Sequence, residues 1–180
     1  MNMMWRFLLV FLTTKYISTA SFFKLARKKF IALPSDIDFY GHINNGRYFS
    51  FLDLARISVL VETKIMAILR KNEVYGVVAC EMIRFKKSIG IFKKFEITTQ
   101  IIYWDDKYFY IKQCFYMKDE LCAFALVKIR FLHKQRGVIS PAEVFKIANL
   151  TEEASAMPNY VEHLNAAEKE LFANVLASGP

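Results

Sequence analysis

The amino-acid sequence predicts an α+β domain in which an antiparallel sheet covers one long, buried helix. Three observations support this prediction: one segment is apolar around most of a helix, four later segments alternate apolar with polar residues, and short polar turns separate several of them. Connections this short cannot hold a parallel crossover, so the strands should form an antiparallel meander. The chain has no glycine-rich phosphate loop and no internal repeat, which argues against a nucleotide-binding α/β fold.

The chain begins with a largely apolar segment, residues 1–24, whose first twelve residues contain only two polar side chains, Asn2 and Arg6. The apolar run is shorter than the roughly 20 residues that span a bilayer. Ser18–Ala20 offers a weak signal-peptide cleavage site, but a retained segment is preferred. It could lie at a membrane interface or pack as a docking helix onto the domain. The basic residues that would help it reach a membrane surface are Lys24, Arg27, Lys28 and Lys29.

The predicted domain, residues 25–134, starts with a short strand and the long helix. Phe30–Leu33 is an apolar run that Pro34 closes. The helix is predicted over Arg47–Leu69, where a few regularly spaced polar residues interrupt an otherwise apolar circumference. A helix of this kind is buried on most of its sides, as it would be under a curled sheet.

Strand-like segments follow the helix. They are predicted at Tyr75–Lys87, Lys94–Tyr103, Tyr108–Met117 and Leu121–Leu132. The polar connections Asp105–Lys107 and Lys118–Glu120 have hairpin length. Residues 135–180 are predicted to form a peripheral helical extension, with Ser140 as the N-cap of one helix and a second helix over Pro158–Leu176.

The most distinctive stretch of the chain lies where the long helix is predicted to begin. Its polar and small residues stand at fixed spacing: Asp36, Asp38, Gly41, His42, Asn44, Asn45, Tyr48, Asp53, Ala55 and Arg56. A helix start offers unpaired backbone N–H groups, which favour an anion or a developing oxyanion. Gly41 should allow a tight turn, and Asn44 or Asn45 should cap the helix. Asp53 and Arg56 should form an i,i+3 ion pair that braces it.

This pattern resembles that of the hotdog-fold acyl-CoA thioesterases, the 4-hydroxybenzoyl-CoA thioesterase-like superfamily, and within it the thioesterase-superfamily-member-6-like branch. The match is motif-level over Asp36–Arg56 and pattern-level over about Lys28–Lys134. It implies a hotdog fold, in which an antiparallel sheet of about five strands wraps around one central helix, followed by the C-terminal extension. It also implies an acyl-CoA substrate and a homodimer, or a dimer of dimers, with sites at the interface.

By this resemblance, Asp38 is the catalytic carboxylate, acting as nucleophile or as general base on water, while the start of the central helix polarises the thioester carbonyl. His42 and Asn45 are the further catalytic candidates, because either could orient Asp38, a water molecule or the thioester. The predicted substrate-binding residues are Phe39, Tyr40, Gly41, Asn44, Tyr48, Lys86 and Lys87. Of these, the two lysines could meet the phosphates of coenzyme A.

Two positions differ from the better-characterised members, which have proline after the aspartate and a small residue before the glycine. Phe39 and Tyr40 stand there in this chain. Such aromatic side chains could narrow the acyl pocket, or they could mean that the loop is placed differently. A non-catalytic, membrane-associated acyl- or lipid-binding hotdog protein is therefore an alternative, which the apolar N-terminal segment also favours. A hotdog dehydratase or hydratase with His42 as the base is a weaker one.

The charge and the cysteine content of the chain restrict which other partners and cofactors are expected. The net charge of +8 and a pI near 9.4 fit an anionic small molecule, an anionic membrane surface or nucleic acid. The basic residues form short clusters without a nucleic-acid-binding motif, so nucleic acid is not an expected partner. Cys80, Cys114 and Cys122 should be free thiols in a reducing compartment, which predicts a cytoplasmic protein that could also be peripheral at a membrane. The spacing of Cys and His predicts no metal site, and no cofactor is expected.

Overall fold

A curled antiparallel sheet forms the frame of the protein, as the sequence predicts. The computed structural model describes residues 3–13, 19–151 and 156–178. The strands are β1 (Ala26–Ile31), β2 (Val74–Phe85), β3 (Lys94–Trp104), β4 (Phe109–Met117), β5 (Glu120–His133) and β6 (Gly137–Ile139). They lie in the order β1-β3-β4-β5-β2, every pair is antiparallel, and β6 pairs with β5. The predicted meander is therefore present in β3-β4-β5, whereas β2 lies beside β5 and not beside β3. Ser18, in the candidate cleavage site, lies outside the described residues.

Five α-helices accompany the sheet within the described residues. They are α1 (Met3–Thr13), α2 (Asn45–Glu62), α3 (Ile65–Lys71), α4 (Pro141–Ala148) and α5 (Asn159–Ser178). Short 3₁₀ turns occur at Thr19–Phe23 and Pro34–Asp36. None of these helices has the length and hydropathy that crossing a membrane requires.

Helix α2 is the central helix, and the inner face of the sheet packs against it. Phe51, Leu52 and Leu54 are fully buried and share one core cluster with Phe95 of β3 and Phe115 of β4. Aromatic rings fill much of this space, since the Phe51 and Phe95 rings meet edge to face at 5.0 Å between centroids. Alternate residues of the central strands therefore supply the core around α2, as period-two patterning predicts.

The prediction of one helix over Arg47–Leu69 is wrong at its C-terminal end. The helix breaks at Lys64, which has φ of 61°, and the chain continues as α3. The Thr63 hydroxyl donates to the Val59 carbonyl, and the Thr63 N–H donates to the same oxygen, so the last turn closes there. The turn redirects the chain so that Ile65 and Leu69 are buried in a second core cluster.

The first strand and the tail also differ from prediction. β1 ends at Ile31 and starts before the predicted Phe30, because it pairs with β3 from Ala26 onward. The first half of the extension is not peripheral. β6 lengthens the sheet, and α4 buries Val144 and Ala148 in the cluster that contains Phe131.

The predicted helix starts in the tail agree with the structure, and α5 ends at Ser178, two residues beyond the predicted Leu176. The Ser140 hydroxyl accepts a hydrogen bond from the Glu143 N–H and caps α4. α5 packs on the outer face of the sheet through Val161, which is buried, and through an ion pair of 2.7 Å between Lys128 and Glu168.

The central aromatic core gives a stability prediction. Phe51→Ala should lower the free energy of unfolding by about 3–5 kcal/mol, because Phe51 is 0% exposed and its removal leaves a cavity. Urea denaturation measures the change. The matched control is Phe39→Ala, since Phe39 is 89% exposed, and its effect should stay within about 0.5 kcal/mol. Equal destabilisation by the two substitutions would contradict this description of the core.

Candidate functional site

The motif folds as a small hairpin that leads into the N-terminal end of α2. Ile37 and Ile43 form its ladder, and the Asp38 N–H donates to the His42 carbonyl over 2.9 Å. At the tip, the Gly41 N–H donates to the Asp38 carbonyl over 3.0 Å. Gly41 has φ of +79°, a conformation that side chains with a Cβ disfavour, so glycine is required by the turn. The predicted reason for this glycine is therefore the one that the structure shows.

Asn44 is the residue that caps α2. Its Oδ1 accepts a hydrogen bond of 2.9 Å from the Gly46 N–H, and Asn45 is the first residue of the helix. A Cβ at Gly46 would lie only 3.3 Å from that oxygen, so the cap favours glycine there. The prediction left Asn44 and Asn45 open as caps, and the geometry assigns the role to Asn44.

A cleft of about 510 Å³ opens at this end of α2. It is lined by Asp38, Tyr40, His42, Ile43, Asn45, Tyr48, Phe85, Lys86, Lys87 and Ser88. Of the predicted site residues, only Phe39, Gly41 and Asn44 do not line it. The folded chain thus brings the candidate carboxylate, the histidine and the two lysines together, although about fifty residues separate the hairpin from the lysines in sequence. Ile43, Phe85 and Ser88 are additional lining residues that the sequence analysis missed.

Asp38 is half-buried in this cleft. Its Oδ1 accepts a hydrogen bond of 2.9 Å from the Tyr40 N–H, which fixes the carboxylate at the hairpin tip. His42 is exposed, and its backbone forms a β-bridge to Gly90. Among the described residues, no hydrogen bond joins the Asp38 and His42 side chains. The hairpin therefore orients Asp38 through its backbone and not through the histidine.

Phe39 and Tyr40 point away from the core at the tip of the hairpin. Both side chains are exposed, and their rings lie 4.1 Å apart between centroids. Within a single copy of the chain, these two rings do not fill the interior of the cleft. Tyr40 stands at its rim.

Tyr48 forms the floor of the cleft from the first turns of α2. Its ring contacts Phe85 and Phe115 at centroid distances of 4.9 and 4.8 Å. Burial raises the pKa of Tyr48 to about 12, so its hydroxyl stays protonated at neutral pH and can donate a hydrogen bond.

The two lysines stand just after β2. The N–H groups of Lys86 and Lys87 both donate to the Cys122 carbonyl, over 2.8 and 2.9 Å. The Lys87 ammonium also pairs with Glu120 at 2.5 Å, and this hydrogen bond raises the pKa of Lys87. One side of the cleft is therefore lined by the exposed Lys86 and by Lys87, whose charge is paired with Glu120.

Arg56 connects α2 to the neighbouring strands at a position away from the cleft. It makes the predicted i,i+3 ion pair with Asp53, and it also pairs with Glu81 of β2 at 2.7 Å and donates to Gln113 of β4 at 2.7 Å. Gln113 in turn donates to the Leu52 carbonyl and to the Thr99 hydroxyl. Burial raises the pKa of Glu81, although the charge of Arg56 opposes the shift. This network ties α2 to three strands, and the sequence analysis found only its Asp53–Arg56 member.

Asp36 lies at the base of the hairpin, where its buried carboxylate pairs with Arg6 of α1 at 2.6 Å. The sequence analysis did not find this pair. The available signal was weak: Arg6 is the only charged residue among the first twelve, in a segment that is otherwise nearly all apolar.

An apolar cavity of about 390 Å³ lies between the C-terminal half of α2 and the first half of β2. Most of its lining is aliphatic or aromatic, including Leu60, Phe109 and Ile129, while Asp53 and Arg56 give it one charged end. The cleft touches β2 at its last residue, Phe85, so the two spaces lie at opposite ends of the same strand.

The described residues contain no group of three or more His, Cys, Asp or Glu side chains placed to hold a metal ion. All three cysteines are free, and Cys114 and Cys122 are buried. Burial raises the pKa of Cys122, which keeps it a thiol at neutral pH.

Comparison with known families gives one match over most of the chain. The model of the thioesterase-like superfamily matches residues 32–165, which include the hairpin, the central helix and the whole sheet after β1.

Individual proteins give consistent likenesses. The chain is 35% identical over 98 residues to the protein THEM6 of Xenopus laevis, covering 54% of this chain and 47% of that one. It is 32% identical over 128 residues to the probable thioesterase YBR096W of Saccharomyces cerevisiae, covering 69% and 55%. The chain thus spans about half the length of these relatives. A solved structure of a 1,4-dihydroxy-2-naphthoyl-CoA thioesterase from Synechocystis has the same fold, with a TM-score of 0.60 at 12% identity over 69% of this chain and 94% of that one.

Proposed function

The chain belongs to the thioesterase-like superfamily, and on that premise we propose that it hydrolyses an acyl-CoA to the free acid and coenzyme A. The observation that carries this proposal is the cleft at the start of α2, which collects Asp38, Asn45 and Tyr48 beside two lysines. A carboxylate, a helix start and positive charge are the parts that thioester hydrolysis with a phosphorylated leaving group needs. A 1,4-dihydroxy-2-naphthoyl-CoA thioesterase has the same fold, which supports coenzyme A as the carrier.

Asp38 supplies the reactive carboxylate in this proposal. As general base it removes a proton from a water molecule whose oxygen attacks the thioester carbon; as nucleophile its own oxygen attacks, and water later releases the acid. In either course the C–S bond breaks, and the sulfur of coenzyme A leaves and takes up a proton. The hydrogen bond from the Tyr40 N–H holds one carboxylate oxygen and leaves the other for the reaction.

The start of α2 supplies the donor for the thioester oxygen. In the first turn, the Gly46 N–H bonds the Asn44 side chain and the Arg47 N–H bonds the Asn44 carbonyl. The Asn45 N–H is therefore the group we assign to the negative charge that develops on the thioester oxygen, and the helix dipole adds to its effect. Lys86 and Lys87 lie on the side where the phosphates of coenzyme A would be bound.

A homodimer formed through β2 completes this proposal. β2 is a twelve-residue strand that pairs only with β5 among the described strands, so its other edge is open. Val78 and Met82 on this strand are exposed apolar residues, as expected for an edge that another copy covers. Antiparallel pairing of β2 with β2 of a second copy would give one continuous sheet.

This pairing would also join the two spaces described above. The cleft lies at the end of β2 and the apolar cavity at its beginning. In an antiparallel pair, the end of one strand lies beside the beginning of the other. The acyl chain of a thioester bound at Asp38 would then point toward the apolar cavity of the second copy.

A second candidate function is acyl or lipid binding at a membrane surface. The observation that favours it is the outer face of α1, where Met4, Trp5, Leu8, Phe11 and Leu12 are all exposed. Such a face suits the boundary between lipid headgroups and acyl chains. Of the basic residues predicted to assist, Lys24 and Lys29 are exposed, whereas Arg27 and Lys28 pair with Glu96 and Glu62.

Replacement of the candidate carboxylate tests the hydrolase proposal. The protein should release free thiol from at least one acyl-CoA in a panel of short, medium, long and aromatic acyl groups. Asp38→Asn should lower kcat by roughly 10²–10⁴-fold, because the amide can neither accept the proton nor attack. Asp106→Asn, in the exposed turn before β4, is the matched control and should retain the full rate.

Full activity of Asp38→Asn would show that the carboxylate is assigned wrongly. Product analysis with an enoyl thioester belongs in the same assay. Hydration of the double bond without thiol release would favour the dehydratase class, with His42 as the base.

The open edge of β2 gives a prediction about assembly. The wild-type protein should sediment as a dimer, and Val78→Glu should weaken dimerisation at least ~10-fold, because like charges of two copies would lie close across the pair. Val138→Glu places the same charge on exposed β6 and should leave the dimer intact. A monomeric wild type, or a dimer that Val78→Glu leaves unchanged, would rule out this interface.

The exposed face of α1 gives a prediction about membranes. The protein should float with vesicles of phosphatidylcholine and phosphatidylserine, and Leu8→Ser with Phe11→Ser should lower the bound fraction at least ~10-fold, since each apolar side chain contributes about 1.5–3 kcal/mol when buried. The matched control is Leu171→Ser with Phe172→Ser, two similarly exposed residues of α5. If both variants float like the wild type, α1 does not bind the membrane.

A further inference from the structure

The N-terminal helix reaches the motif hairpin through one charged side chain. The Arg6 guanidinium donates to the Asp36 carboxylate over 2.6 Å and to the Ile31 carbonyl over 3.1 Å. It also lies over the Phe51 ring, 4.9 Å from its centroid. One side chain of α1 therefore contacts the end of β1, the base of the hairpin and the central helix.

The Arg6–Asp36 pair is buried. The Asp36 side chain is 1% exposed and the Arg6 side chain 11%. A carboxylate removed from water in this way needs an opposite charge and hydrogen-bond donors, and removal of one partner leaves an uncompensated charge. The same Asp36 oxygen also accepts a hydrogen bond of 2.8 Å from the Leu33 N–H, which is a weaker partner than a guanidinium. Arg6 thus supplies the opposite charge beside the buried Asp36 carboxylate.

The position of Asp36 in turn affects the geometry of the cleft. Its carbonyl accepts a hydrogen bond of 2.9 Å from the N–H of Asn44, the residue that caps α2, and Asp38 follows it by two residues. A shift of Asp36 would therefore move both the candidate carboxylate and the helix start that faces it. Arg47 contributes nearby by donating to the Ser35 carbonyl, but it is Arg6 that contacts the Asp36 carboxylate.

We propose that Arg6 is a positioning residue for the Asp38 site and that α1, through this residue, holds the hairpin in its reactive geometry. This inference rests on the function proposed above. Arg6 lies outside residues 32–165, so the constraint is supplied by sequence outside the part of the chain that matches the family model. The Arg6–Asp36 ion pair is the anchor: it joins α1, with its exposed apolar face, directly to the base of the hairpin that carries Asp38.

Substitution of Arg6 in the full-length protein tests the proposal. Arg6→Met keeps an unbranched side chain and removes the charge, and it should lower kcat on the best acyl-CoA at least ~10-fold with KM changed less than about twofold, because misplacement of a reactive group affects chemistry more than binding. Arg6→Lys should recover part of the loss. Arg136→Met, which breaks an exposed ion pair with Glu143, is the matched control and should leave both constants unchanged.

The double variant Asp36→Asn with Arg6→Met tests whether removal of the unpaired buried charge restores kcat. The double variant buries no unpaired charge, so it should regain part of the kcat that Arg6→Met loses. If Arg6→Met does not fold, the comparison of Arg6→Lys with the wild type replaces it. A loss of thermal stability without any change in kcat would overturn the positioning role.

Amide hydrogen exchange over residues 36–44 separates this inference from the proposed function. Exchange there should accelerate at least ~10-fold in Arg6→Met relative to Arg136→Met, since the hairpin loses its anchor. If the wild type hydrolyses no thioester, the proposed function fails, while faster exchange still supports the Arg6 anchor. If Arg6→Met leaves the exchange of residues 36–44 unchanged, Arg6 does not hold the hairpin and the proposal is overturned.

Discussion

The burial of α2 is the constraint on which the rest of the structure depends. The sheet covers most of this helix, so Phe51, Leu52 and Leu54 can be apolar while every charged group on the buried faces needs a partner. Arg56 meets that need through Glu81 and Gln113 on neighbouring strands. The N-terminal end of the helix is the part that stays open, and Asn45 and Tyr48 from its first turn line the cleft. Burial of the helix body and exposure of its start therefore follow from one arrangement.

Much of the fold could be predicted because its signals are local. Alternation along β3 and the polar turns around β4 predict a meander, and the structure confirms it for β3, β4 and β5. The prediction is wrong for β2, which pairs with β5 at the far edge, because a local pattern does not show which strand a segment pairs with. The break at Lys64 could not be predicted because no Gly or Pro marks it in the sequence, so that only tertiary burial of Ile65 and Leu69 shows why the chain turns there. α4 was placed at the periphery because its short amphipathic pattern does not reveal which surface covers it.

The candidate site likewise has one part that local sequence predicts and another part that it does not. The motif residues from Asp38 to Tyr48 are close in sequence and could be grouped by spacing alone, and Lys86 and Lys87 were chosen for their charge. The structure gathers most of them in one cleft, with Phe39, Gly41 and Asn44 outside its lining, whereas their roles in chemistry stay predictions. Long-range partners could not be found in this way. Arg6 and Asp36 are thirty residues apart, and neither position carries a local pattern that names the other.

The two acids of the motif show how backbone geometry assigns different uses to the same side chain. Asp36 and Asp38 are two residues apart, yet Asp36 is buried at the base of the hairpin while Asp38 lies in the open cleft. The Asp36 carboxylate is poorly placed to meet a substrate, because its side chain is only 1% exposed and is paired with Arg6. A half-exposed carboxylate held by one backbone N–H can reach water and a ligand. In the proposed function, the hairpin thus separates the anchoring acid from the reactive one, and the second depends on the first: without a fixed Asp36, the position of Asp38 against the start of α2 would not be defined.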